Sequence, residues 1–222
     1  MGNIFTNKKI TLFSCIYNND FLSFKNMVDQ DQENSTLISV LNLKENGHSL
    51  LHYACYYNRY KFVKILIEKG ADLNSQNNEG NTCLHICSMN YSKFFSNKKE
   101  ILLILLLLIK NETICQKIVN NNGDTYLHIL SYFCSFDFDV KLINKDIINI
   151  KNNKGFTALL LAISIHNSNL VKKLIECGAD VNICDNKNNS PLSFSINNIT
   201  KRDISIEVIK IHEIILEEKY KK

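Results

Sequence analysis

The sequence predicts an all-α fold, a solenoid of about six stacked helix-turn-helix units joined by short β-hairpin loops. Three observations predict it. One segment recurs five times at a spacing near 33 residues, Asn-rich tips surround each copy's start, and each copy runs into apolar positions at helical spacing.

The copies are Gly47 to Ala54, Gly80 to Cys87, Gly123 to Leu130, Gly155 to Ala162 and Asn188 to Ser195, with first positions separated by 33, 43, 32 and 33 residues. A 33-residue unit carrying one insertion follows. The insertion falls in the third unit around Tyr91 to Lys99, where Lys93, Lys98 and Lys99 suggest an exposed extension. The period divides the chain into repeats 10–43, 44–76, 77–119, 120–151, 152–184 and 185–218, preceded by a segment 1–9 and followed by a basic tail 219–222.

Each element of the unit has a local cause. Asn78-Glu79-Gly80, Asn121-Asn122-Gly123 and Asn153-Lys154-Gly155 supply the residues that tolerate positive φ in tight turns. Ser49, Thr82, Thr125, Thr157 and Ser190 are placed to cap a following helix. Leu51, Leu84, Leu127, Leu159 and Leu192 begin the apolar stripe of that helix, and Phe62, Val63, Leu66 and Ile67 form the stripe of a second one. Gly70 and Gly178 stop the second helix. No helix pair buries both stripes alone, so each unit needs neighbours, and the end units need a more polar outer face. Leu12, Phe13, Cys15, Phe21, Phe24 and Met27 fit an N-terminal repeat without a hairpin, and residues 203–218 fit a final amphipathic helix.

These residues resemble the ankyrin repeat family, whose signature is T-P-L-H-x-A at this period. Lys64 to Asn74 and Lys172 to Asn182 are similar to that family's helix end and G-A-D-V-N exit. The third and fourth repeats lack the exit, and only Pro191 supplies the family's proline. The resemblance implies a protein-binding module. It also implies that His52, His85 and His128 bond across the turns between repeats.

The composition excludes several classes. Charged residues at 22% and hydrophobic residues at 45% are ordinary for a globular chain, and a net charge of +4 is too mild to argue for nucleic acid. The 31 Asn, 29 Ile and 24 Lys beside 5 Ala read as nucleotide bias in the gene rather than function. Eight Cys lie mostly in apolar segments with no secretory signal before them, so free thiols in a reducing compartment are expected. The longest apolar run, Ile101 to Ile109, is too short to span a membrane, which takes about 20 residues. Cys83-x-His85-x-Cys87 is the tightest metal-like cluster, but alternate residues do not share one face of a helix, and no metal or other cofactor is expected. No phosphate loop, H-E-x-x-H motif or nucleophile elbow occurs, and the repeats occupy nearly the whole chain. An enzyme is not expected.

Met1-Gly2-Asn3-Ile4-Phe5-Thr6 satisfies M-G-x-x-x-S/T, which places Gly2 for N-myristoylation. Met1 to Phe5 resembles the myristoylated N-terminus of ADP-ribosylation-factor small GTPases, with Lys8 and Lys9 following. A single myristoyl chain holds a protein to a membrane only reversibly. A peripheral contact at the cytosolic face is expected with acylation, and a cytoplasmic or nuclear location without it.

By family position, the concave face presents His48, Tyr56, Tyr57, Glu79, Asn81, Met89, Asn90, Asp124, Tyr132, Phe133, Lys154, Phe156 and Ile165. The aromatics among them are of the type that carries interface energy. A monomeric scaffold or adaptor for a protein partner is expected. The alternatives are a soluble inhibitor of a signalling or transcription factor, and the regulatory subunit of an enzyme assembly.

Overall fold

The computed structural model describes residues 11–30, 34–93, 98–133, 139–200 and 206–221. Gly2, Lys8 and Lys9, the Cys134 to Phe138 stretch and the 203–205 start of the expected last helix lie outside these. The chain packs as two compact units that divide between Ile118 and Val119, beside the expected start of the fourth repeat.

The first unit opens with helix α1 (residues 11–18) and α2 (Phe21–Asp29). Asn19 joins them at φ 60°, and Asp20 caps α2 by accepting from the Ser23 N–H. Phe24 of α2 packs edge-on against Phe62, with ring centroids 5.0 Å apart. A helix α3 (Asn34–Leu41) follows that the period did not anticipate, and its Val40 and Leu41 are buried.

Next come β1 (Lys44–Glu45), β2 (His48–Ser49), α4 (Leu50–Tyr56) and α5 (Tyr60–Glu68). The strands pair antiparallel around Asn46-Gly47, both at positive φ, the backbone a two-residue hairpin demands. Asn58 turns the chain between α4 and α5 at φ 56°. Gly70 ends α5 at φ +81°, where the Ala71 N–H donates to Leu66 O and the Gly70 N–H to Ile67 O.

The third repeat supplies α6 (Cys83–Lys93) and α7 (Lys98–Ile109), which pack together, α6 on α4 and α7 on α5. The insertion is not simply an exposed extension. It lengthens α6 by a turn over α4, buries Tyr91, and sets the Lys98 ammonium 5.0 Å from the Tyr91 ring centroid.

The second unit contains α8 (Tyr126–Phe133), a 3₁₀ turn (Val140–Leu142), α9 (Ala158–Ser164), α10 (Ser168–Glu176), α11 (Pro191–Thr200) and α12 (Ile206–Lys219). Helices α8, α9 and α11 pack in sequence, while α10 contacts α9 and α12. Among the described residues, the fourth repeat replaces its second helix with the 3₁₀ turn. Tyr126 sets that turn in place, its buried hydroxyl donating to Leu142 O at 3.0 Å, and burial pushes the phenol pKa up. At the far end, Ile206 and Ile209 are exposed on α12, so its outer face is less polar than a terminal repeat predicts.

The predicted stripe is the core: Leu51, Leu84, Leu127 and Leu159 are buried, while Leu192 is half-buried. The cysteines divide. Cys15, Cys55, Cys83 and Cys87 are buried free thiols, Cys177 and Cys184 are half-buried, and Cys115 is exposed. Burial pushes the Cys55 thiol well above its ordinary range, away from the reactive thiolate.

Candidate protein-interaction surface

A rigid turn is the first requirement of a binding face built on loops, and among the described residues the chain makes the same turn four times. Asn77, Asn120, Asn152 and Asp185 each accept two backbone N–H bonds from positions two and four residues ahead. A backbone bond closes each turn, for example Asn77 N–H to Asn81 O at 2.9 Å and Asn152 N–H to Phe156 O at 2.9 Å.

The next requirement is an anchored helix. Ser49 caps α4 and also engages His52: the Ser49 N–H lies 3.1 Å and its hydroxyl 2.7 Å from His52 Nδ1. Both groups donate, so Nδ1 is the unprotonated nitrogen and Nε2–H donates to Asn81 O at 3.0 Å. Thr82 with His85 and Thr125 with His128 repeat the N–H and hydroxyl contacts to Nδ1, and His128 Nε2 reaches Phe156 O at 3.0 Å. Burial lowers the His52 pKa to about 4 and lowers that of His128 as well. His52 and His128 are therefore neutral struts between turns. Among the described residues, no group of three or more His, Cys, Asp and Glu is arranged to hold a metal ion, and no helix is long and apolar enough to cross a membrane.

On this frame the first unit displays a chain of aromatic rings. His48 packs on Tyr53 at 5.8 Å, Tyr53 on Tyr57 at 6.3 Å, and Tyr57 meets Tyr56 edge-on at 5.1 Å and Tyr17 edge-on at 5.6 Å. Tyr53 lies on α4 and Tyr57 is its C-cap residue four positions on, about one turn away, so the two rings share a side. The outer rings are open: Tyr56 is 60% exposed and Tyr17 65%. Tyr17 is absent from the surface read from sequence, although Asn19 and Asn58 occupy the same turn and place Tyr17 in the register of Tyr56.

The remaining predicted contact residues divide by environment. Glu79 and Lys154 are exposed, while Met89, Asp124, Phe156 and Ile165 are half-buried. Tyr132 and Phe133 of α8 are exposed and stack edge-on at 5.0 Å in the second unit. His48 is half-buried and held in its hairpin, its Nδ1–H directed to Asn46 O and its Nε2 accepting from Asn77 Nδ2. Two assignments are corrected. Asn81 is 3% exposed and Asn90 4%, so neither presents a contact surface. Asn81 bonds Glu79 within its turn, and Asn90 Nδ2 reaches back to Cys55 O, Tyr56 O and Asn58 Oδ1, satisfying the C-terminal end of α4. A buried carbonyl without a donor is costly, and that cost draws the amide inward.

Comparison with known proteins agrees with this architecture. Family models described as ankyrin repeats match residues 51–93 and 95–185, together more than half of the chain. An ankyrin repeat protein of Fowlpox virus (strain NVSL) is 27% identical over 74% of this chain and 87% of its own length. A second ankyrin repeat protein, from Acanthamoeba polyphaga mimivirus, is 26% identical over 94% of this chain, which spans only 21% of that relative. Among solved structures, an ankyrin repeat domain from Acinetobacter baumannii AYE superposes with a TM-score of 0.72 at 22% identity, covering 94% of this chain and 97% of its own. The chain belongs to the ankyrin-repeat family.

Proposed function

We propose that the chain is a protein-protein interaction scaffold or adaptor, that it works by binding rather than catalysis, and that an N-terminal myristoyl group on Gly2 holds it reversibly at the cytosolic face of a membrane. One observation carries the binding role: Tyr17 and Tyr56 stand largely in solvent while their inner edges are fixed against Tyr57. Large, pre-positioned aromatic rings gain affinity at small entropic cost, and such rings dominate interface energetics. The membrane role is supported by the Met1 to Thr6 motif and by Lys8 and Lys9, each worth on the order of 1 kcal/mol near an anionic surface.

Two experiments test the two parts separately. A photoreactive phenylalanine at position 56 of the full chain, expressed in cells, crosslinks a discrete protein, and the same probe at Lys61 on α5 does not. Identical products from both positions would sink the surface assignment. Cells expressing the wild type incorporate a myristate analogue and place the protein in the membrane fraction, and Gly2→Ala loses both; an unlabelled wild type rejects the anchor and leaves the binding role intact.

A further inference from the structure

We propose that the hairpin tips of the second unit dock an acidic segment of a partner protein, with an apolar side chain of that segment seated on Phe156 and Phe194. The proposal rests on the binding role above and names the partner chemistry of a second surface.

The tips are built as a fixed platform. Asn153 donates from its backbone N–H to Asn122 O and from its side chain to Asn121 O, and Asn186 Nδ2 donates to Asn153 O, so successive tips are laced together. Lys154 and Lys187 stand at equivalent positions of adjacent tips, since the Asn152 and Asp185 side chains accept their respective backbone N–H groups. Lys151 enters the same turn as Lys154. All three lysines are exposed, and among the described residues none of their ammonium groups has an ion-pair or hydrogen-bond partner.

The carboxylates of these tips are engaged in bonds within them. Asp185 is buried and spends its oxygens on Lys187 N–H, Asn189 N–H and Asn189 Nδ2, while Asp124 Oδ1 accepts from Asn152 Nδ2 at 2.7 Å. The charge offered to a partner is therefore cationic, although the tips are nearly balanced on paper. Beside it, the half-buried Phe156 and Phe194 pack edge-on at 5.8 Å. An acidic peptide with one apolar anchor answers both features. A nucleic acid answers them poorly, because three lysines neutralise few phosphates and edge-on rings are already committed to each other.

The test uses the full chain and fluorescence anisotropy with a fluorescein-labelled peptide of glutamates around a single leucine. A glutamine-for-glutamate peptide, a serine-for-leucine peptide and a labelled single-stranded oligonucleotide serve as comparisons. The glutamate-leucine peptide binds best, and Lys154→Glu with Lys187→Glu weakens it by about tenfold, the size of about 1.4 kcal/mol. Lys61→Glu with Lys110→Glu, an equal charge change in the first unit, shifts affinity less than about twofold, because it alters net charge without altering the tips. Absence of peptide binding, equal losses in both double variants, or preference for the oligonucleotide overturns the proposal. The position-56 crosslink separates the two readings: its persistence alongside a failed peptide test removes the tip surface alone, and loss of both removes the binding role as well.

Discussion

Acidification should unfold the first unit through His52. The Nδ1 atom of that ring faces two donors, the Ser49 N–H and hydroxyl, so a proton there breaks the cap of α4 and places a charge among buried groups. The pKa falls from 6.5 to about 4 on folding, with burial as the largest cause and the bond to Asn81 O partly opposing it. Between those values the unfolded state binds more protons, so the contribution to stability is fully present above about pH 6.5 and is lost as pH falls through about 4. Linkage over about pH 7.5 to 4.5 gives a loss of about 2.5 kcal/mol from this one residue. The assay is guanidinium unfolding followed by circular dichroism for the wild type and His52→Gln, which keeps an amide near the cap and cannot titrate there. Carboxylates shared by both proteins cancel in the comparison. The wild type should lose about 2.5 kcal/mol more than the variant across that range; parallel pH dependences would refute the neutral-strut assignment.

Three further outcomes follow from packing. In thermal melts, Gly155→Ala should cost more than about 3 kcal/mol and Gly70→Ala only about 1, because both sit at positive φ but the new Cβ at 155 collides with the Asn186 backbone and side chain whereas that at 70 meets nothing. Asn90→Ala strips donors from two backbone carbonyls of α4 and should destabilise by about 2 kcal/mol in denaturant titration, with Asn90→Asp no better since its carboxylate cannot donate. Tyr126→Phe leaves Leu142 O without its donor and should cost about 1 kcal/mol, read as faster amide exchange confined to the 3₁₀ turn.

The architecture was legible because spacing, not composition, encodes it. Gly47, Gly80, Gly123 and Gly155 all take positive φ, and His52 and His128 bond across to Asn81 O and Phe156 O in the next repeat, as the resemblance implied. What the period does not encode was harder to see. Helix α3 is a third helix within the first repeat, and Tyr126 anchors a 3₁₀ turn where the period predicts a second helix. On the candidate surface, the period does not mark Tyr17, because its repeat has no hairpin to set the register, nor Phe194, because its partner Phe156 is 38 positions earlier. Asn81 and Asn90 erred in the opposite direction. Their repeat positions suggest exposure, but an amide that can satisfy buried carbonyls is drawn inward, a decision made by neighbouring backbone rather than by the residue's own place in the period.

The central claim is that the open tyrosines bind a partner and contribute little to the fold. It is tested most directly by titrating the protein crosslinked at position 56 against the wild type and a Tyr17→Ala, Tyr56→Ala double variant, with a thermal melt of each. Interface anchors lost from a pre-formed surface should weaken binding by at least about thirtyfold, near 2 kcal/mol, while stability changes by about 0.5 kcal/mol per site or less. Unchanged affinity, or affinity lost only in step with the melt, would contradict the account.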